Sequence, residues 1–181
     1  MPDANVTKKA LAESMKQLMM EKTFDKISVI DICEHCGMNR KSFYYHFKDK
    51  YDLVNWIYYT EFIMMAGLRQ FGSAWDLLEA VADLFYSDQV FYRRALEIEG
   101  QNSFRDYFSE STAPVFLLFA NRIVDEKEAE SAAGYMADAF LVIMYRWLRE
   151  GCPSGPEAFT FRIRTVIEQL GAEMRKDPSG I

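Results

Sequence analysis

Apolar residues recur along this chain with the three- and four-residue spacing of a helix almost from end to end. No stretch alternates long enough to read as a strand. Leu11, Met15, Leu18 and Met19 form a first stripe, with Thr7 as its expected N-cap and Phe24 and Ile27 in the loop behind it. Ser28, with Asp31 three residues on, has the form of a capping box, and Ile27 and Ile32 flank it as a hydrophobic staple. Gly37 then closes a short helix as a left-handed residue. Asn39 can cap a second helix directly, with Met38 and Phe43 as its staple. Two short capped helices around a glycine turn make a helix-turn-helix. Asp49, followed by Asp52, opens a longer helix from Lys50 to about Leu68, with Leu53, Trp56, Ile57, Thr60 and Met64 along one side, and Gly67 and Gly72 interrupt it. Further helices are predicted over 74–86, 89–99, 103–123, 128–150 and 156–176, separated at Gly100, Gly151 and Pro153, with Ser154 and Glu157 as a capping box for the last. The expectation is an all-α chain of about nine helices. It divides into a three-helix head over 1–50, a connector helix over 51–69, and a larger helical domain over 70–181.

Composition narrows the class. At 181 residues, 50% apolar and 15% aromatic, the chain can bury a sizeable core and is not a disordered one. Its longest apolar runs, Ala113 to Ala120 and Phe140 to Tyr145, fall far short of the ~20 residues of a membrane span. The start, MPDANVTKKALAES, has no apolar signal-peptide core, so the expected location is cytoplasmic. The net charge of −6 argues against nucleic acid as a partner, but its distribution reverses that. Residues 1–50 hold nine Lys/Arg against seven Asp/Glu, whereas 51–181 hold twelve against twenty. A basic end on an acidic body suits docking one face on phosphate.

The segment NRKSFYYHF, Asn39 to Phe47, shows what the basic end is for. On a helix Phe43 and Phe47 share one face and can pack on Ile32 and Cys36. Arg40, Lys41, Ser42, Tyr44, Tyr45 and His46 are left around the rest. Two tyrosines beside two cations suit a major groove: Arg is bidentate to a guanine edge, Ser and Tyr reach phosphate or base, and a Tyr ring meets a thymine methyl. Asn39 and Lys41 lie at the positive end of the helix dipole, which favours phosphate.

These residues carry a resemblance. Residues 7–54, with ICEHCGMNR and FYYHFKDKYDL, resemble the DNA-binding domain of TetR/AcrR-family transcription regulators. The resemblance implies a groove-facing set at Arg40, Lys41, Ser42, Tyr44, Tyr45 and His46, with Lys50 on phosphate, and Ser28 and Asn39 join the DNA-binding candidates. Cys33 and Cys36 depart from the small residues usual there. FYRRALEIEGQNSFRDYF and WLREGCP are similar to the C-terminal domain of TetR-like regulators of dihydroxyacetone-kinase operons, which implies activation together with a kinase-like sensor protein as an alternative to repression.

Other signals have ordinary readings. Cys33-Glu-His-Cys36 is a CxxC without enough further ligands for zinc and outside the strand–helix context of redox pairs, so buried thiols are expected, with no metal and no cofactor. No Gly-rich phosphate loop is present and both histidines lie in the basic end, so no enzyme is expected. For an effector pocket among the central helices, the polar candidates are Tyr92, Asn102, Tyr107, Tyr135 and Tyr145, with Gly100 as a possible joint. Met136, Phe140, Ile143, Met144 and Trp147 form one stripe, and Ile163, Val166, Ile167, Leu170 and Met174 another. Two such stripes from each of two chains can close a four-helix bundle, so a homodimer is expected. The function that emerges is a dimeric regulator, a repressor in the first reading, that binds a palindromic duplex operator and responds to a small molecule or a protein co-sensor.

Overall fold

The computed structural model describes residues 4–64, 71–100 and 103–176. Among these residues every regular element is helical. α1 (Ala4–Glu21), a 3-10 turn (Phe24–Lys26), α2 (Val29–His35) and α3 (Arg40–His46) form the head. α4 (Lys50–Tyr58) continues through a π turn (Tyr59–Ile63) into the body, built from α5 (Ala74–Ser87), α6 (Gln89–Ala95), α7 (Phe104–Ala120), α8 (Glu126–Arg149) and α9 (Pro156–Lys176). The expected breaks of the connector near Gly67, and residues Gln101 and Asn102, lie outside the described residues.

Local chemistry explains most boundaries. Both halves of the Ser28–Asp31 capping box are formed, and the same device opens α5 through Ser73 and Asp76. Asn39 caps α3, Asp49 caps α4 and Ser103 caps α7. Gly37, at φ +69°, ends α2: Met38 N–H donates to the Cys33 carbonyl at 2.8 Å and Gly37 N–H to Glu34 at 3.2 Å, the two bonds of a Schellman motif. Gly151, at φ +77°, ends α8 in the same way, with Cys152 N–H on Trp147 and Gly151 N–H on Leu148.

Four expectations are corrected. Thr7 is not a cap: α1 begins at Ala4, and Thr7 is buried within it. The helix predicted to reach Glu99 stops at Ala95, because Glu97 and Ile98 bond back to the carbonyls of Arg94 and Ala95 as tight turns. The helix predicted to Ile123 stops at Ala120 for the same reason. Ser154 does not cap α9: its carbonyl accepts the indole N–H of Trp147 at 3.1 Å, and Pro156, whose fixed φ suits a first helical position, opens the helix.

The body is centred on aromatic rings. Tyr58, Phe85, Tyr92, Phe104 and Phe108 are fully buried; Phe85 stacks on Tyr92 with centroids 4.2 Å apart, and Tyr58 meets Phe104 edge-on at 5.5 Å. The Tyr58 hydroxyl pairs with Thr112 Oγ1 at 3.0 Å, which satisfies both buried groups, and burial drives the phenol pKa far up.

Candidate nucleic-acid interface

α3 is held from beneath. Phe43 and Phe47 are buried with rings 5.8 Å apart, and Phe47 meets Trp56 of α4 at 5.5 Å. Lys8 lies over both Phe47 and Trp56, 5.7 and 5.5 Å from the ring centroids. Ser14 of α1 donates to the Ile32 carbonyl at 2.7 Å and ties α1 to α2. The hydrophobic side of α3 is thereby used up, and its other side faces out.

That outer face carries the expected set, with roles that differ by residue. Arg40, Lys41, Tyr44 and Tyr45 are exposed, Tyr45 by 83%. The Arg40 guanidinium lies 5.8 Å from the Tyr44 ring, and Tyr45 meets the half-buried His46 ring at 4.9 Å. Asn39 and Ser42 form the cap: the Asn39 side-chain oxygen accepts the Ser42 N–H at 2.9 Å and its hydroxyl at 3.3 Å. Ser28 is likewise engaged with Asp31. The Ser28 hydroxyl and backbone N–H, helped by Lys22, hold the Asp31 carboxyl at about 2, below its ordinary 3.8.

Lys50 stands apart within this set. Its ammonium points into the head and donates to the carbonyls of Phe24 and Ile27 at 2.8 and 2.9 Å, 4.2 Å from the centroid of the Phe24 ring. Burial lowers its pKa, against a smaller opposing pull from Asp25. Two of the three N–H groups of an ammonium are thus committed to backbone before any phosphate arrives. The two cysteines are also internal. Cys33 is buried, Cys36 Sγ donates to the Ile32 carbonyl at 3.3 Å, and burial pushes both thiols above their ordinary pKa.

Residues 5–57 match the family described as "Bacterial regulatory proteins, tetR family", and residues 74–169, more than half of the chain, match "Transcriptional regulator C-terminal region". The chain belongs to the TetR family of transcription regulators. As a member it is a DNA-binding regulator with an N-terminal helix-turn-helix and a helical C-terminal domain. It is similar to the HTH-type dhaKLM operon transcriptional activator DhaS of Lactococcus lactis, 29% identical over 105 residues that span 57% of this chain and only 54% of that protein. A solved structure, dihydroxyacetone kinase operon activator DhaS, superposes with a TM-score of 0.69 at 20% identity, covering 91% of this chain and 96% of that one. NalD, the secondary repressor of the MexAB-OprM multidrug efflux pump in Pseudomonas aeruginosa, superposes with a TM-score of 0.62 at 17% identity, covering 92% and 97%. At these identities the superpositions speak for the fold of this TetR-family regulator.

The expected effector residues of the regulator's body lie in different surroundings. Tyr92 is fully buried, with its hydroxyl donating to Glu61 Oε2 at 2.6 Å. Tyr107 lines a cleft of about 440 Å³ against α4, whereas Tyr135 is 74% exposed on α8. Tyr145 lies beneath the guanidinium groups of Arg105 and Arg149, at 4.6 and 5.8 Å. Asn102 is outside the described residues. These tyrosines therefore do not converge on one cavity. A different cleft, of about 530 Å³ between α5, α7, α8 and α9, contains none of them and is walled by Trp75, Leu78, Phe116, Phe140 and Ile163, with Arg122 as its charged group.

The two stripes expected at a dimer interface also part company. On α8, Phe140, Met144 and Trp147 are buried in their own body: Phe140 contacts Phe108 and Phe116, and Trp147 stacks on Phe159 at 4.3 Å. Met136 and Ile143 are half-buried beside them, lining the larger cleft. The outward apolar residues of α8 are instead Tyr135, Ala139 and Val142, a parallel row one residue earlier. On α9, Ile163 is half-buried, while Val166, Ile167 and Leu170 remain exposed, Leu170 by 60%. The side chain of Met174 falls outside the described residues.

Proposed function

We propose that this TetR-family regulator binds a palindromic duplex operator as a cytoplasmic homodimer, reading bases with Arg40, Tyr44 and Tyr45 of α3 and backbone with Lys41 and the edge residues Ser42 and His46. The domain division follows: residues 1–50 as the DNA head, 51–69 as the connector, and 70–181 as the sensing and dimerising body. The observation that carries the reading is the outer face of α3. A short helix anchored by two buried phenylalanines leaves two tyrosines and two cations in solvent, an arrangement that gains nothing without a partner. Dimerisation rests on Val166, Ile167 and Leu170 of α9 with Ala139 and Val142 of α8, apolar residues exposed on the last two helices. Operator affinity falls when a small apolar effector occupies the 530 Å³ cleft, whose size lies in the range of small-molecule sites. In this first reading the protein is a repressor that the effector releases from its operator.

A second reading is activation in concert with a protein sensor. It is favoured by the similarity to a transcriptional activator of the dhaKLM operon and by Leu118 in the last turn of α7 and Ile123 just beyond it, both exposed. The test is selection of bound fragments from the source genome, followed by titration of the selected duplex with wild type and Arg40→Ala. A loss of ~1–3 kcal/mol on the selected duplex, with random DNA unaffected, supports base reading by Arg40. Equal losses on both remove it.

A further inference from the structure

The head is joined to the body by more than the continuous α4. Arg94, on α6, reaches the C-terminal end of α1, where its Nη1 donates to the carbonyls of Met19 and Lys22 at 2.5 and 2.6 Å. The Met19 carbonyl is one of the last four of α1, which have no partner within the helix, and a cation there also meets the negative end of the dipole. One turn earlier, Lys16 of α1 pairs with Glu61 of the π turn and with Asp88 at the α5–α6 junction, the latter at 3.0 Å. The second oxygen of Glu61 accepts the hydroxyl of buried Tyr92, and the Lys16 ammonium lies 5.3 Å from the centroid of the Phe91 ring. The Lys16 side chain is 17% exposed. Burial alone would depress its pKa, but the two carboxylates outweigh burial and raise it, so the ammonium is firmly charged.

Glu61 of the connector and Asp88 and Arg94 of the body thus grip one head helix at two places a turn apart. Apolar contacts resist separation but are non-directional, whereas these bonds fix an angle. Because α1 is itself tied to α2 and packs on α3, whatever sets the angle of α1 also aims α3.

We infer that Glu61, Asp88 and Arg94 are positioning residues for DNA recognition: by holding Lys16 and the end of α1 they set the angle of each head on its body, and hence the distance between the two recognition helices of the dimer. The inference rests on the dimeric operator-binding reading above. The bonds contribute a spacing preference, beyond affinity as such. Half-sites of a symmetric operator lie about one helical turn apart, so a head held at one angle discriminates against half-sites moved along the duplex. A freed head tolerates the shift.

The experiment uses the full-length protein. A random-sequence duplex library yields the wild-type operator, and its half-sites are then moved by one or two base pairs in either direction. Wild type loses on the order of tenfold on each shifted duplex. Glu61→Gln with Asp88→Asn, and separately Arg94→Gln, flatten that profile several-fold, while binding to a duplex with one half-site stays at the wild-type level. Arg94→Lys keeps a cation at the end of α1 and retains most of the profile. Variants that keep the wild-type spacing profile overturn the inference alone. So do variants that lose single half-site and paired-site binding equally along with thermal stability, the signature of a purely structural role. A wild type that selects no paired half-sites overturns the inference together with the dimeric reading.

Discussion

Lys50 separates two roles that its position at the start of α4 would let a lysine play. A phosphate-binding Lys50 would leave the fold untouched on mutation and reduce the salt dependence of DNA binding by about one unit. The structure points to a larger structural role. The ammonium bonds the carbonyls of Phe24 and Ile27 and lies over the Phe24 ring, locking the turn that leads from α1 to α2. A hydrogen bond to a charged group contributes ~1.5–3 kcal/mol. With the side chain only partly buried, the two bonds and the ring contact together amount to roughly 2–3 kcal/mol. Lys50→Met, which keeps the aliphatic stem, should therefore lower stability by about that much, or roughly 5–10 °C in Tm for a chain of this size. Thermal denaturation followed by circular dichroism reads the first quantity. Fluorescence-anisotropy titrations of operator and random duplex across a salt series read the second, and the slope should change by well under one unit. A variant with wild-type Tm and a slope reduced by a full unit would refute the structural assignment and return Lys50 to the phosphate-binding set.

Three further outcomes are expected. Leu170→Glu places a charge in the exposed α9 row and should shift the protein to monomer by light scattering while leaving its helical content unchanged; a dimer that persists moves the interface elsewhere. Tyr58→Phe orphans the buried Thr112 hydroxyl and should cost ~1–3 kcal/mol in chemical denaturation, and a neutral result would mean that the pair contributes nothing. The Asp31 carboxyl is held below its ordinary value, so its stabilising contribution is present above pH 3.8 and is lost as pH falls through about 2. The Tm gap between wild type and Asp31→Asn should accordingly narrow across that window on acidification, and a gap independent of pH would contradict the sign.

The head was legible in the sequence because its determinants are local. Ser28 and Asp31, Gly37, Asn39 and Asp49 each act within a few residues, through caps and a left-handed turn whose chemistry needs no distant partner. The alternation of Phe43 and Phe47 with polar neighbours likewise fixes which side of α3 is buried, because one turn of periodicity settles it. The body obeyed the same periodicity, and its helices begin within two residues of their predicted starts, although two of them end three or four residues early. Periodicity does not say what a helix face will meet. α8 carries two apolar rows offset by one residue, and only packing against Phe108, Phe116 and Phe159 decided that the row of Phe140, Met144 and Trp147 turns inward. The polar side chains depended on distance in space even more. Tyr92 looked like a pocket residue until Glu61, thirty-one positions away, took its hydroxyl. Nothing in the sequence shows that the Lys50 ammonium meets two carbonyls more than twenty positions earlier. A side chain's periodic position is set by the backbone it grows from, whereas its hydrogen-bond partners are set by the close packing of segments far apart in the chain, and that is decided only when the tertiary structure forms.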